Sequence, residues 1–372
     1  MSHLLRAIAP IAAAALALAP LEAQPAAPDR PAPTRVEVAP GVHLFQTARY
    51  GDAGLDGNSV VVIGDRGVLV FDANGTPAAA TAVLAEIRKL TPKPVRYLVL
   101  SHWHWDHWYG AEVYAAAFPG AEIIGHESSR RMMSGPVVAF NQPFLDTDFP
   151  KHLKAIDSAL TRATTASPPD TTVTRIAEHL ALDRWFLAQK RGAKLTVPTL
   201  TYADSLTIDL GGRIVKVMHH DRAITPGDSY LWLPEGKIAI VGDLLINPMT
   251  YGLFCYPSGW IRTLEHLDAL DAAVLVPGHG TPMRDEVRLH ATLELLRRER
   301  TLVAVLKAAG KTVKEAAAGV LADSLVLALR ETLTGGNVAY RDPFALYLVE
   351  WVVPRLYQEI DGTLDESIPR LP

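Results

Sequence analysis

Apolar and polar positions follow a regular order along residues 36–308. Val36 to Thr47 alternates on either side of Pro40-Gly41 and predicts two short strands. The apolar runs Ser59 to Ile63 and Gly67 to Phe71 flank Gly64-Asp65-Arg66-Gly67, a hairpin signal. Thr76-Pro77 predicts a helix start, with Thr as cap, Pro in the first turn, and Val83, Leu84, Ile87 and Leu90 on one face. Val95 to Leu100 reads as a buried strand, followed by a helix over Ala111 to Phe118 and a strand over Ala121 to Ile124. Over residues 126–192 the apolar spacing becomes helical, with loops expected at Asn141 to Pro150 and Ser167 to Asp170, which predicts a helical insertion over one side of the core. Strands are expected again at Leu195 to Val197, Ser205 to Leu210, Ile214 to His219, Ser229 to Leu233 and Lys237 to Val241. A helix over Trp260 to Leu270, a strand over Ala273 to Val276 and a long helix from Pro282 to about Ala308 complete the pattern.

The series of strands, helix, strand and helix thus occurs twice. Two such halves bury their apolar faces best as two sheets packed together with helices outside, a four-layer α/β sandwich. Residues 309–372 read as a helical extension. In it Ala345, Leu346, Leu348, Val349, Val352 and Val353 form an apolar stripe that either docks on the core or makes a dimer contact, and docking is the simpler expectation.

The first 23 residues do not belong to that pattern. Arg6 precedes a nearly all-apolar run, Ala7 to Leu21, and Leu21-Glu22-Ala23 ends on a small residue. This predicts a signal peptide cleaved after Ala23, hence a periplasmic or secreted protein. The run is broken by Pro10 and Pro20 and is shorter than the ~20 residues a membrane span needs. Residues 24–34, rich in Pro and Ala, read as a flexible lead-in to a domain over 35–308.

Composition narrows the chemistry. The chain has 372 residues and is 49% apolar and 20% charged, an ordinary globular balance. Lys and Arg number 36 against 40 Asp and Glu, a formal charge of −4, which argues against a nucleic-acid partner and leaves a small molecule as the expected one. Cys255 is the lone cysteine, so no disulfide framework exists within the chain.

The strand Val95 to Leu100 runs directly into Ser101-His-Trp-His-Trp-Asp-His-Trp-Tyr-Gly110. Imidazole nitrogens and carboxylate oxygens are the ligands Zn2+ takes, usually four around one ion, so His102, His104, Asp106 and His107 predict a metal site. Asp243 in Gly242-Asp243 and His279 in Pro277-Gly-His279 also follow predicted strands. All six residues then stand beyond the C-terminal ends of strands, where open α/β sheets place their sites. Trp103, Trp105, Trp108 and Tyr109 read either as core aromatics or, for Trp105 and Tyr109, as walls of an apolar substrate pocket. The loops Met132 to Asp148 and Pro248 to Gly259 supply further walls on that second reading, and Gly51 to Asn58 reads either as a covering flap or as a plain connection.

On these motifs, with Asp72, Thr225-Pro-Gly-Asp228 and Leu233-Pro234, the sequence resembles the metallo-β-lactamase-fold hydrolases over about residues 36–308. The resemblance implies the αββα sandwich and one or two zinc ions. It implies His102 and His104 on a first metal, Asp106, His107 and His279 on a second, Asp243 shared, and Asp72 as a buried structural residue. It departs at Ile224, where the family carries a histidine that completes the first site. Three outcomes stay open: His219 replaces the missing ligand, His220 does so, or the first site is weak or empty. The implied function is an exported zinc hydrolase that attacks a lactam, lactone or thioester carbonyl with metal-bound hydroxide. Asp106 would orient or deprotonate the nucleophile, and His102 and His104 would act as acid–base groups if the first site is empty. The alternative is a degenerate member that binds a ligand or partner without turnover.

Overall fold

A computed structural model describes residues 30–50, 55–166, 171–366 and 368. Among the described residues, twelve strands make two sheets. The first contains β1 (Thr34–Ala39), β2 (Val42–Gln46), β3 (Ser59–Gly64), β4 (Gly67–Phe71), β5 (Val95–Val99), β6 (Glu122–His126) and β7 (Leu200–Tyr202), in that spatial order. β1 to β4 form an antiparallel meander, and β4 to β7 run parallel. The second sheet has the order β12-β11-β10-β9-β8, from β8 (Ser205–Asp209), β9 (Ile214–Met218), β10 (Tyr230–Leu233), β11 (Ile238–Gly242) and β12 (Val274–Pro277). Only its β11–β12 pair is parallel.

Strand side chains alternate between faces, so each sheet has an inner and an outer layer. Val60, Val62, Leu69, Phe71 and Val99 of the first sheet meet Val215, Val217, Leu231, Ile240 and Val276 of the second in the inner core. The residues of opposite parity, Val61, Val70 and Leu98, pack under the helix Pro77–Leu90. Thr76 caps that helix, its hydroxyl accepting from Ala79 N, and Val83, Leu84 and Ile87 are its buried face. The outer face of the second sheet is covered by the helices Pro257–Asp268 and Val287–Ala308. This is the four-layer αββα sandwich expected from the sequence.

Residues 127–192 form the helical insertion: Glu127–Met133, Pro136–Pro143, a wide π turn Phe144–Asp148, Phe149–Ala166 and Thr171–Gly192. It has a small core of its own around Tyr50, Phe149, Trp185 and Phe186. The C-terminal stripe docks: Leu348, Val349, Val352 and Val353 join the outer core of the second sheet, while Leu346 stays exposed.

Three expected elements differ. Leu195 to Val197 is not a strand; the seventh strand is Leu200–Tyr202, because Pro198 offers no N–H and pairing begins only after it, with Thr199 N donating to Ile123 O. Asn141 to Pro150 is not a loop, since the π turn carries the helical path from Pro143 to Pro150. The long helix starts at Val287 rather than Pro282, because Met283 first pairs with Leu275 beside β12. The signal peptide, most of the lead-in, residues 51–54 of the expected flap and the expected loop at 167–170 lie outside the described residues. No helix among the described residues is long and apolar enough to cross a membrane.

Candidate metal centre

Four connections at one end of the sandwich converge. After β4 the chain turns through Asp72 (φ 65°) and Asn74 (φ 60°), a left-handed conformation that Asp and Asn tolerate better than most residues. After β5 comes Ser101–His104 and the short helix Trp105–Trp108, which brings Asp106 and His107 round to the same point. β11 delivers Asp243 after Gly242 (φ 54°), and β12 delivers His279. The donors therefore come from both sheets.

His107 Nε2 lies 3.3 Å from Asp243 Oδ1 and 3.5 Å from Asp106 Oδ2. His279 Nε2 lies 3.0 Å from Asp106 Oδ2 and 3.6 Å from Asp243 Oδ1. Four of the six distances among these atoms are close to the roughly 3.4 Å edge of a tetrahedron with metal–ligand bonds of about 2.1 Å; Asp106, His107 and His279 form one close set of possible ligands, and His102, His107 and Asp243 another. His102 Nε2 lies 3.6 Å from the other oxygen, Asp243 Oδ2, and the rings of His102 and His104 are 4.5 Å apart. His102 Nε2, His104 Nε2, His107 Nε2 and Asp243 Oδ1 are buried without a hydrogen-bond partner. Buried polar atoms are rarely left so, and a cluster of orphaned polar atoms is an arrangement that a cation satisfies. These residues can hold a metal ion.

The rings are held from behind. Asp72 Oδ2 accepts from His107 Nδ1 at 2.8 Å and from Ser101 Oγ at 2.8 Å, and Asp72 Oδ1 accepts from Ser101 N at 2.7 Å. Ser101 Oγ in turn meets His102 Nδ1 at 2.9 Å. One buried carboxylate thus sets the tautomer of His107, and through Ser101 that of His102, leaving both Nε2 atoms toward the site. Glycines let the walls close in. A methyl group on Gly57 would overlap the His107 ring, and one on Gly278 would overlap Asp243 Oδ1. Gly57 N donates to Asp106 O and Asn58 N to Gly278 O, so the described end of the expected flap is pinned between the two donor loops.

Electrostatics prepare the donors unequally. Burial, then His107 and His104 beside it, holds His102 well below the usual imidazole range; burial, with His107 and His279 nearby, holds His104 at about 4 against the pull of Asp106 and Asp243, so both are neutral at pH 7. Burial acts the same way on His107 and is overcome by Asp243, Asp106 and Asp72, which push it well up. Burial would raise Asp106 and Asp243, but His107 and His279 outweigh it and keep both carboxyls below the usual range. A proton and a metal therefore compete for His107 Nε2.

The residues expected around Ile224 are not brought to the centre. Ile224 is fully buried in the outer core of the second sheet. His219 is turned away to Asp228, whose carbonyl accepts from its Nδ1 at 2.8 Å, and its ring lies 4.0 Å from that of His126. His220 stacks on His266 at 4.4 Å. Among the described residues, the close set that contains His102 is completed by His107 and Asp243, and no residue of this stretch joins it. Trp103, Trp108 and Tyr109 are buried core aromatics, whereas Trp105 is half-exposed and meets Phe144 edge-on.

Sequence reasoning missed Lys190. It reaches in from the insertion helix Thr171–Gly192, is buried, and donates from Nζ to Trp105 O at 3.3 Å. Nζ sits 4.5 Å above Trp105 and 4.4 Å above Tyr109. Burial lowers it to about 7 against the pull of Asp106 and Asp56. No local signal distinguishes Lys190 from the solvated charges around it.

Known structures share this architecture. A metallo-beta-lactamase family protein from Thermus thermophilus superposes with a TM-score of 0.54 at 18% identity, covering 88% of this chain and 95% of its own. A metallo-beta-lactamase from Pontibacter korlensis gives 0.50 at 18% identity over 71% of this chain and 99% of its own. In sequence, the linear primary-alkylsulfatase of Pseudomonas sp. (strain ATCC 19151) is 25% identical over 277 residues, which is 70% of this chain. The chain spans about half the length of that curated relative, 47%. The profile of the metallo-beta-lactamase superfamily matches residues 52–279, from ahead of β3 to the last histidine of the centre, and the chain belongs to that superfamily.

Proposed function

We propose that the protein is an exported zinc-dependent hydrolase of small molecules, with the second metal position its principal one. The observation that carries this reading is the convergence of His107 Nε2, Asp106 Oδ2, Asp243 Oδ1 and His279 Nε2, with each carboxylate oxygen within 3.0–3.6 Å of both imidazole nitrogens. His107, Asp106, Asp243 and His279 would hold that ion, and His102, His104 and the far oxygen of Asp243 would hold a second, weaker one. A zinc ion bound there lowers the pKa of coordinated water to about 7 and polarises the scissile group.

The chain's own residues supply the rest. His107 and Asp243 are 0 and 4% exposed, Asp106 and His279 13 and 16%, so substrate approaches on the Asp106–His279 side. Asp106 is kept ionised by its imidazole neighbours. A carboxylate so stabilised is a weak base, and its role is to orient the attacking water rather than to keep its proton. His104, neutral and half-buried, has an unpartnered Nε2; held at about 4 it is likewise a weak base, and its role is that of a ligand to the second, weaker ion.

The bond cleaved is a lactam, lactone or thioester carbonyl on the first reading. A sulfate ester is the second, and the similarity to a linear primary-alkylsulfatase favours it. The test is metal analysis of the purified protein, combined with turnover of chromogenic lactam, lactone, thioester and sulfate-ester substrates before and after chelation. One tightly held zinc with chelator-sensitive turnover of any substrate is expected. A protein that takes up no metal refutes the hydrolase, and one that holds zinc but turns over none of the panel favours a binding role.

A further inference from the structure

The C-terminal helical region reaches the metal centre. The ring of Tyr251, on the loop between β11 and the helix Pro257–Asp268, meets His104 edge-on at 5.7 Å between centroids. Its other aromatic neighbours come from the C-terminal region: Trp351 at 4.8 Å and Tyr347 at 5.4 Å. Those two stack on each other at 4.9 Å, with 26° between their planes. All three rings are half-buried, as is His104. The same region fixes the loop's backbone. Gly252 N donates to Tyr347 O at 3.1 Å. Arg355, 4% exposed, donates to the carbonyls of Cys255 at 2.8 Å and Phe254 at 3.3 Å. A buried guanidinium is costly unless its donors are used, and here two of its hydrogen bonds go to holding that loop.

We propose that this region is part of the substrate site: Tyr251, Trp351 and Tyr347 form an aromatic wall that receives the alkyl or aryl substituent of the molecule cleaved at the metal centre. The proposal rests on the hydrolase reading above. A substrate whose reacting group sits beside His104 must extend its substituent over neighbouring surface. On this side that surface is three contiguous rings with partly exposed apolar area. Aromatic rings bury much apolar area at little entropic cost and are tolerant of chain shape, which suits an extended apolar group rather than a charged one.

The test uses zinc-loaded full-length protein and uncleavable probes: butyl, hexyl and octyl sulfonate and the corresponding alkyl carboxylates, titrated by calorimetry. Full burial of one methylene is worth roughly fourfold in affinity, so a wall that covers the chain on one side should make octyl bind at least about tenfold tighter than butyl. Trp351→Ala and Tyr347→Ala should each remove most of that increment while metal content stays at the wild-type level, and Trp351→Phe should keep it. Near-ultraviolet circular dichroism checks folding; if Trp351→Ala misfolds, Tyr347→Ala and Trp351→Phe carry the comparison. An unchanged increment in the folded alanine variants, or no increment with either head group in the wild type, overturns the proposal. Metal content and turnover report separately on the hydrolase reading. Zinc with turnover but no chain-length increment removes the wall alone, and an increment without zinc removes the hydrolase alone.

Discussion

Asp72 Oδ2 lies 2.8 Å from Nδ1 of His107, and the same oxygen accepts from Ser101 Oγ, which contacts Nδ1 of His102. A residue that would bind no metal therefore aims two that would. Asp72→Asn keeps a side chain that tolerates φ 65°, so the backbone is not the variable. It turns an amide N–H2 toward His107 Nδ1 and Ser101 Oγ, which already donate to that position, or loses the Ser101 N bond by flipping. Zinc affinity, measured against a competing chelator, should fall roughly 10- to 100-fold with little change in circular dichroism. Wild-type affinity in this variant would show that the rings are fixed by packing alone.

Gly278 presses against Asp243. Gly278→Ala places a methyl group where Asp243 Oδ1 and the Gly242 carbonyl carbon now stand. The expected result is loss of the tightly bound zinc, since a displacement of about 1 Å breaks ligand geometry. Gly120→Ala is the matched control, as nothing lies within 4 Å of its added carbon. Equal zinc content in the two variants would contradict the geometry described.

Lys190 predicts a pH dependence. Its folded pKa of about 7 lies below the ordinary 10.5, first because of burial. Between those values the folded chain binds fewer protons than the unfolded chain, so stability rises with pH across about 7 to 10.5. Lys190→Met should flatten that rise, and chemical denaturation in a series of buffers measures it. A slope in the variant as steep as in the wild type would place the lysine in water.

Glu299 predicts the opposite slope. It is buried in the helix Val287–Ala308, and neither of its oxygens has a hydrogen-bond partner. Burial pushes it well above 4.5. The folded chain then binds more protons than the unfolded one as pH climbs above 4.5, and stability falls through that range until the folded group ionises. Glu299→Gln has no charge to bury and should gain on the wild type by a few kcal/mol between mildly acidic and alkaline pH. Parallel stability curves for the two proteins would show that water reaches the carboxylate.

The residues that sequence made legible share one property: their meaning is local. The strand before His102, the glycine before Asp243 and the Pro277-Gly-His279 turn each carry their own signal within a few residues. The hairpin at Gly64–Gly67 and the Thr76 cap were legible for the same reason. Tertiary partners decided the rest. Lys190 acquires its role only by packing on Trp105 and Tyr109. His219 took the Asp228 carbonyl as its partner instead. Tyr347 and Trp351 lay in a stretch whose apolar stripe spoke only of docking or a dimer contact, and their position beside Tyr251 depends on the path of a loop about a hundred residues earlier.

The donors are split between the sheets: His102 to His107 follow β5, while Asp243 and His279 follow β11 and β12. His102 to His107 alone would offer a partial ligand set, so a metal would be held in full only once the second sheet has closed on the first, and loading would be coupled to folding. Once in place the metal ties the two layers together at their shared end, so the loaded protein should open more slowly than the metal-free one, beginning from the edge farthest from the centre.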